Sequence, residues 1–99
     1  MKVRELLSDE TKWTQCTFAA TKDGHPCDPE ARRAAKWCLS GAIERCYGQF
    51  HGSFAAAARA TAVIRSRVIE RIHADIIEWN DSPVRSFGAV KRLVDELDI

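Results

Sequence analysis

The residues of this 99-residue chain that could ligate zinc, or supply a nucleophile and its base, are four cysteines (Cys16, Cys27, Cys38, Cys46) and three histidines (His25, His51, His73). Structural zinc sites pair their ligands two to four residues apart, whereas successive cysteines here lie 8 to 11 apart. Only His25 and Cys27 are close enough to share a strand face, so no metal site is expected. Thiolate catalysis needs a base and an orienting group beside the sulfur. No motif joins a cysteine to a histidine in that way, and His25 with Cys27 is the one nameable site for a small enzyme. Gly48 and Gly52 flank Gln-Phe-His without the Lys-Ser/Thr that would hold phosphate and magnesium, which excludes a phosphate-binding loop. The chain therefore reads as non-catalytic, with no cofactor.

Arginine is the second candidate chemistry. Arg59, Arg65, Arg67 and Arg71 fall in one helical segment, opposed up to position 71 by Glu70 alone. Arg59, Arg67 and Arg71 form an alternative nucleic-acid face. Against it stand 15 Lys/Arg to 14 Asp/Glu, a net charge of +1 and a pI near 7.7, where nucleic-acid domains are usually strongly basic. Arg65 points with Ala58, Ile69, Ile72 and Ile76 into an apolar sector. A charge there needs an interface or a carboxylate, or marks a helix break nearby, and Asp81 and Asp95 are the candidate partners. Trp13, Trp37 and Trp79 serve either as anchors at helix joints or as an exposed aromatic surface. Because Trp and Arg are enriched at interaction hot spots, Trp37, Arg65 and Trp79 are the expected partner contacts.

These residues need elements to position them. Val3, Leu6 and Leu7 have helical spacing, which predicts a short helix over 2–10. Cys16, Phe18 and Ala20 alternate with Gln15, Thr17 and Ala19, as in a strand with one buried face. Lys22-Asp23-Gly24-His25 reads as a two-residue hairpin turn that sets Ala20 opposite Cys27 and Lys22 opposite His25. Asp28 and Pro29 open a helix over 29–47 whose stripe is Ala31, Ala35, Cys38, Ala42 and Cys46, ended by Gly48. Phe50-His51-Gly52 is a connection, and Ser53 caps a helix running towards Trp79, either continuous or with a break or kink around 72–75. Asn80-Asp81-Ser82-Pro83 ends it. Ser86 caps a last helix carrying Phe87, Val90, Val94 and Leu97. The expected fold is α+β and predominantly α-helical. A short N-terminal helix and a small β-hairpin (1–28) pack on three main helices (29–99) within a single domain, 1–99.

Trp13-Thr14-Gln15, the Asp23-Gly24 turn, Trp37-Cys38 followed by Gly41-Ala42, and Trp79-Asn80-Asp81 before a terminal amphipathic helix together resemble a family of short bacterial and phage proteins, a domain of unknown function. The resemblance spans roughly 13–97, and the Ala/Arg-rich segment 54–73 departs from the pattern. It implies a phage or mobile-element origin and marks Trp13, Thr14, Gln15, Cys38, Gly41, Asn80 and Asp81 as motif residues, without supplying a reaction or cofactor. No apolar run approaches the roughly 18 residues of a membrane span, and the N-terminus lacks a signal-peptide core, so the expected location is the cytoplasm. The resulting expectation is a small protein-binding module, a mobile-element accessory that engages or inhibits a host complex. A protein partner is expected, a homo-oligomer is open, and nucleic acid is second choice.

Overall fold

A computed structural model describes residues 1–49 and 53–99; the predicted Phe50-His51-Gly52 connection lies outside the described residues. The described chain is α+β and mainly helical. Its helices are α1 (Val3–Leu6), α2 (Leu39–Tyr47), α3 (Phe54–Ile72), α4 (Ile76–Asp81) and α5 (Phe87–Leu97). Strands β1 (Ala19–Ala20) and β2 (Lys36–Trp37) pair antiparallel, with Ala19 opposite Trp37 and Ala20 opposite Lys36.

The N-terminal helix is shorter than predicted. Asp9 accepts a hydrogen bond from the Thr11 amide at 2.8 Å and opens a separate 3-10 turn, Glu10–Lys12. A short polar side chain that binds its own backbone competes with helix continuation. Val3 and Leu7 are still fully buried.

Residues 13–18 do not form the predicted strand. Trp13 makes an isolated parallel bridge to Trp37, and Cys16 then adopts φ 66°. One residue in the left-handed region reverses the alternation, so Cys16 and Phe18 face solvent and Ala19 and Ala20 are both buried. The hairpin register is also one residue off. Thr21 and Gly24 close a three-residue connection (Thr21 N–H to His25 O 2.8 Å, Gly24 N–H to Thr21 O 2.9 Å) with Gly24 at φ +88°. A three-residue loop with glycine at positive φ is the next commonest hairpin after the two-residue form, and it sets Ala20 opposite Pro26 instead of Cys27.

The largest correction concerns 29–47, where only Leu39–Tyr47 is helical. Asp28 does cap, accepting from the Glu30 amide at 2.8 Å, but only two turns follow, at Ala31 and Ala34. The carbonyls that a helix would need are taken by side chains. Pro29 O accepts from Trp37 Nε1 at 2.9 Å and from Arg45 at 3.1 Å, while Ala31 O accepts from Arg45 at 2.9 Å. The Ala35 amide bonds Ala20 O at 2.8 Å instead of a helical neighbour. Cys38 thus becomes the N-cap of α2, its Sγ accepting from the Gly41 amide at 3.3 Å.

The other boundaries follow local capping chemistry. Gly48 ends α2, and Ser53 and Ser86 accept from Ala56 and Ala89 to open α3 and α5. Of the continuous and broken alternatives for 54–79 the chain takes the broken one, at His73, left-handed at φ 55°, after which Asp75 caps α4.

α2 is the hub. Its residues Leu39 to Ile43 are all buried, and it packs on α1, α3, α4 and β2. Ile43, Leu7, Val68, Val90, Val94 and Ile99 are among the fully buried side chains of the core. α5 closes onto α1: the Val3 amide and the Tyr47 hydroxyl both donate to the Ile99 main-chain oxygen at 2.7 Å. Lys2 and Arg4 both bind the Asp98 carboxylate, Lys2 first in effect, and hold it below the usual carboxylate range. No helix among the described residues is long and apolar enough to cross a membrane.

Ile43→Ala should lower the free energy of unfolding by about 2–5 kcal/mol in urea titrations, because it opens a cavity at the hub. Val63→Ala, on the outer side of α3, should change it by less than about 0.5 kcal/mol.

Candidate interaction surface around Phe18

Three separated stretches of chain meet at one side chain, Asn80, which has no solvent exposure. Its Oδ1 accepts from Trp13 Nε1 at 2.8 Å and from the Leu39 amide at 3.0 Å. Its Nδ2 donates to Thr14 O at 3.2 Å and to Asp81 Oδ1 at 2.9 Å. A primary amide offers two donors and two acceptor positions, so its capacity is filled. Gln15 Nε2 donates to Asn80 O at 2.9 Å and Ser82 O at 3.0 Å, satisfying carbonyls at the end of α4 that lack helical partners. Asp81 Oδ1 also accepts from the Cys16 amide at 2.9 Å. Among the described residues no buried side-chain polar atom is left without a partner.

This network lays residues 13–18 across the start of α2. Phe18 O accepts from the Cys38 amide at 3.2 Å and sits where a Cβ on Gly41 would meet it at 1.9 Å. Only glycine permits that approach. The Phe18 backbone is pinned from below, yet the residue as a whole is 51% exposed. Two clefts flank the ring. One, of about 110 Å³, is lined by Cys16, Thr17, Cys38, Ile77 and Asp81. The other, of about 270 Å³, is lined by Pro29, Ser40, Glu44 and Arg65.

Arg65 therefore lies at this surface, but its carboxylate is neither Asp81 nor Asp95. It donates to Ser40 Oγ at 2.7 Å and pairs with Glu44 at 3.4 Å. Asp81 is occupied by Asn80 and Cys16, and Asp95 pairs with Lys91 at 3.0 Å. Trp37 is placed differently from the partner contact expected of it. It is 5% exposed, with Nε1 on Pro29 O and the Arg45 guanidinium 5.6 Å above its ring. Trp79 is half-buried, with Arg85 stacked on it at 4.0 Å. It faces a separate groove that includes Ile72, Leu93 and Arg92. Trp13 packs on Phe87 with ring centroids 6.2 Å apart.

Arg59, Arg67 and Arg71 are all exposed, and two of them have partners within the chain. Arg67 donates to Leu97 O and Arg71 pairs with Glu96 at 2.9 Å, both securing the end of α5. Arg59 is exposed. His25 is exposed at the hairpin turn, Cys27 is half-buried against the core, and His51 lies outside the described residues. No group of three or more His, Cys, Asp or Glu that could hold a metal ion occurs among the described residues. Burial pushes the Cys38 thiol up, and pushes Cys46 up to about 11, so both are protonated and weakly nucleophilic at neutral pH.

Phe18 is the surface residue that the alternation pattern concealed. The signal that could have revealed it is Gly41, a helical glycine that marks close backbone approach.

Two measurements check this geometry. Asn80→Ala strands the Trp13 indole N–H and the Leu39 amide, and should cost about 2–5 kcal/mol by urea unfolding. In a timed reaction of the native protein with Ellman's reagent, exposed Cys16 should be modified first, half-buried Cys27 and Cys46 later, and buried Cys38 only on unfolding. Early labelling of Cys38 would contradict its burial.

No curated protein and no solved structure matches this chain. Over residues 1–97 it matches the family described as "Family of unknown function (DUF6197)", and it belongs to that family.

Proposed function

We propose that the protein is a non-catalytic protein-binding module whose contact surface is Phe18 with its two flanking clefts. The observation that carries this reading is a half-exposed aromatic residue whose backbone is fixed by Gly41, Cys38 and the Asn80–Asp81 network. A pre-ordered aromatic anchor loses little entropy on binding, and such residues concentrate interface energy. The clefts each suit an apolar side chain from the partner, and Arg65 with Glu44 forms a polar rim on one side. A phage or mobile-element accessory role, engaging or inhibiting a host complex, is the biological form of this proposal. The use of Arg67 and Arg71 to secure α5 weighs against the nucleic-acid reading.

The test is affinity capture from the cells that encode the protein, with nuclease added, comparing wild type with Phe18→Ala. A stoichiometric protein should survive nuclease and lose at least about tenfold in affinity with the variant. Circular dichroism should show the variant folded, since the main chain of Phe18, not its ring, bears on Gly41. Unchanged capture by a folded Phe18→Ala would remove this surface, and loss of every partner with nuclease would favour nucleic acid.

A further inference from the structure

α3 turns Ala57, Ile64 and Val68 inward, and its opposite side is left open along its length. Ala58, Ala62, Val63, Ser66 and Ile69 all face solvent there, with Val63 58% and Ile69 46% exposed. Val63 and Ile69 are the large apolar side chains on this side, with small residues between them.

The charges on this side decide what it can meet. Arg65, Arg67 and Arg71 are all bound within the chain. Arg59 and Glu70 are exposed, and their side chains have no hydrogen-bond or ion-pair partner among the described residues. They are eleven residues apart, which is three turns, about 16 Å of rise and only about 20° of rotation. They therefore lie close together in angle, between Ser66 and Val63 on the outward side, near opposite ends. A two-fold axis relating two antiparallel helices, perpendicular to both, returns each edge to its own side with its ends exchanged. Arg59 of each copy then meets Glu70 of the other, twice by symmetry. In that register Val63 faces Ser66 of the second copy, and Ile69 enters the space over Ala58 and Ala62. Small residues at those positions allow the axes to approach towards the lower end of the about 8–10 Å range. A parallel pair would instead leave Arg59 of one copy and Glu70 of the other about 16 Å apart along the axis, with no opposite charge to meet.

We infer that the outer face of α3 is a self-association surface, on which a second copy of this chain docks antiparallel through reciprocal Arg59–Glu70 pairs. The interface is small and the pairing correspondingly weak.

Sedimentation equilibrium at about 0.5 mM, a concentration that populates micromolar to submillimolar pairing, tests it. Wild type should approach twice the 11.1 kDa mass of one chain. Arg59→Glu and Glu70→Arg should each weaken association roughly tenfold or more by opposing like charges. The double exchange Arg59→Glu/Glu70→Arg should restore it. Both positions face solvent, so the variants keep the fold, as helical circular dichroism will show. A monomeric wild type overturns the inference. So do single variants that dimerise like wild type, or a double exchange that fails to restore the pair.

Discussion

A buried primary amide must find four hydrogen-bond partners or cost the fold more than it contributes, and Asn80 finds all four inside this protein. Its partners come from the 13–14 stretch, from the first amide of α2 and from its own neighbour Asp81. Meeting that requirement locks α4 against the start of α2 and fixes the path of residues 13–18 between them. Gln15 and the Cys16 amide complete the arrangement by taking up the polar groups at the end of α4. The residues of this network thus have a structural task in common, although they lie in three separated parts of the chain.

The exposed surface follows from this buried one. Cys16 can hold its left-handed conformation because Asp81 binds its amide, a conformation that costs free energy unless the surroundings impose it. That single residue turns Phe18 outward. Gly41 then lets the Phe18 carbonyl rest on α2, so the ring projects from a support that cannot easily move. Elsewhere the surface is mostly spent on internal connections. Arg45 holds the 29–31 turn, Arg65 joins α3 to α2, and Arg67 and Arg71 join α3 to α5. Among the described residues, Phe18 with its clefts, the groove beside Trp79, the cleft at the hairpin turn and the outer side of α3 remain open.

Features set by neighbouring residues could be read from the sequence. Ser53, Ser86 and Gly48 mark helix ends because capping acts within three or four positions. The break before Asp75 and the amphipathic helix from Phe87 are equally local. Segment 29–37 could not be read in this way. Its alanines and cap favour a helix, but Trp37 and Arg45 reach back for Pro29 O and Ala31 O, and β1 claims the Ala35 amide. The same holds for Arg65, whose need for a carboxylate was readable while the identity of Glu44 depended on how α2 is turned against α3. Phe18 was assigned to the wrong side because alternation assumes an unbroken strand, and Cys16 breaks it.

Native-state hydrogen exchange of the Cys16 and Leu39 amides tests the central claim most directly, since those two donors bind Asp81 and Asn80. If the Asn80 network holds the fold together, both should exchange only through global unfolding, in the slowest class with the core of α2. Fast exchange at either amide, with α2 still protected, would mean that the 13–18 segment opens independently. The fixed Phe18 surface would then be contradicted.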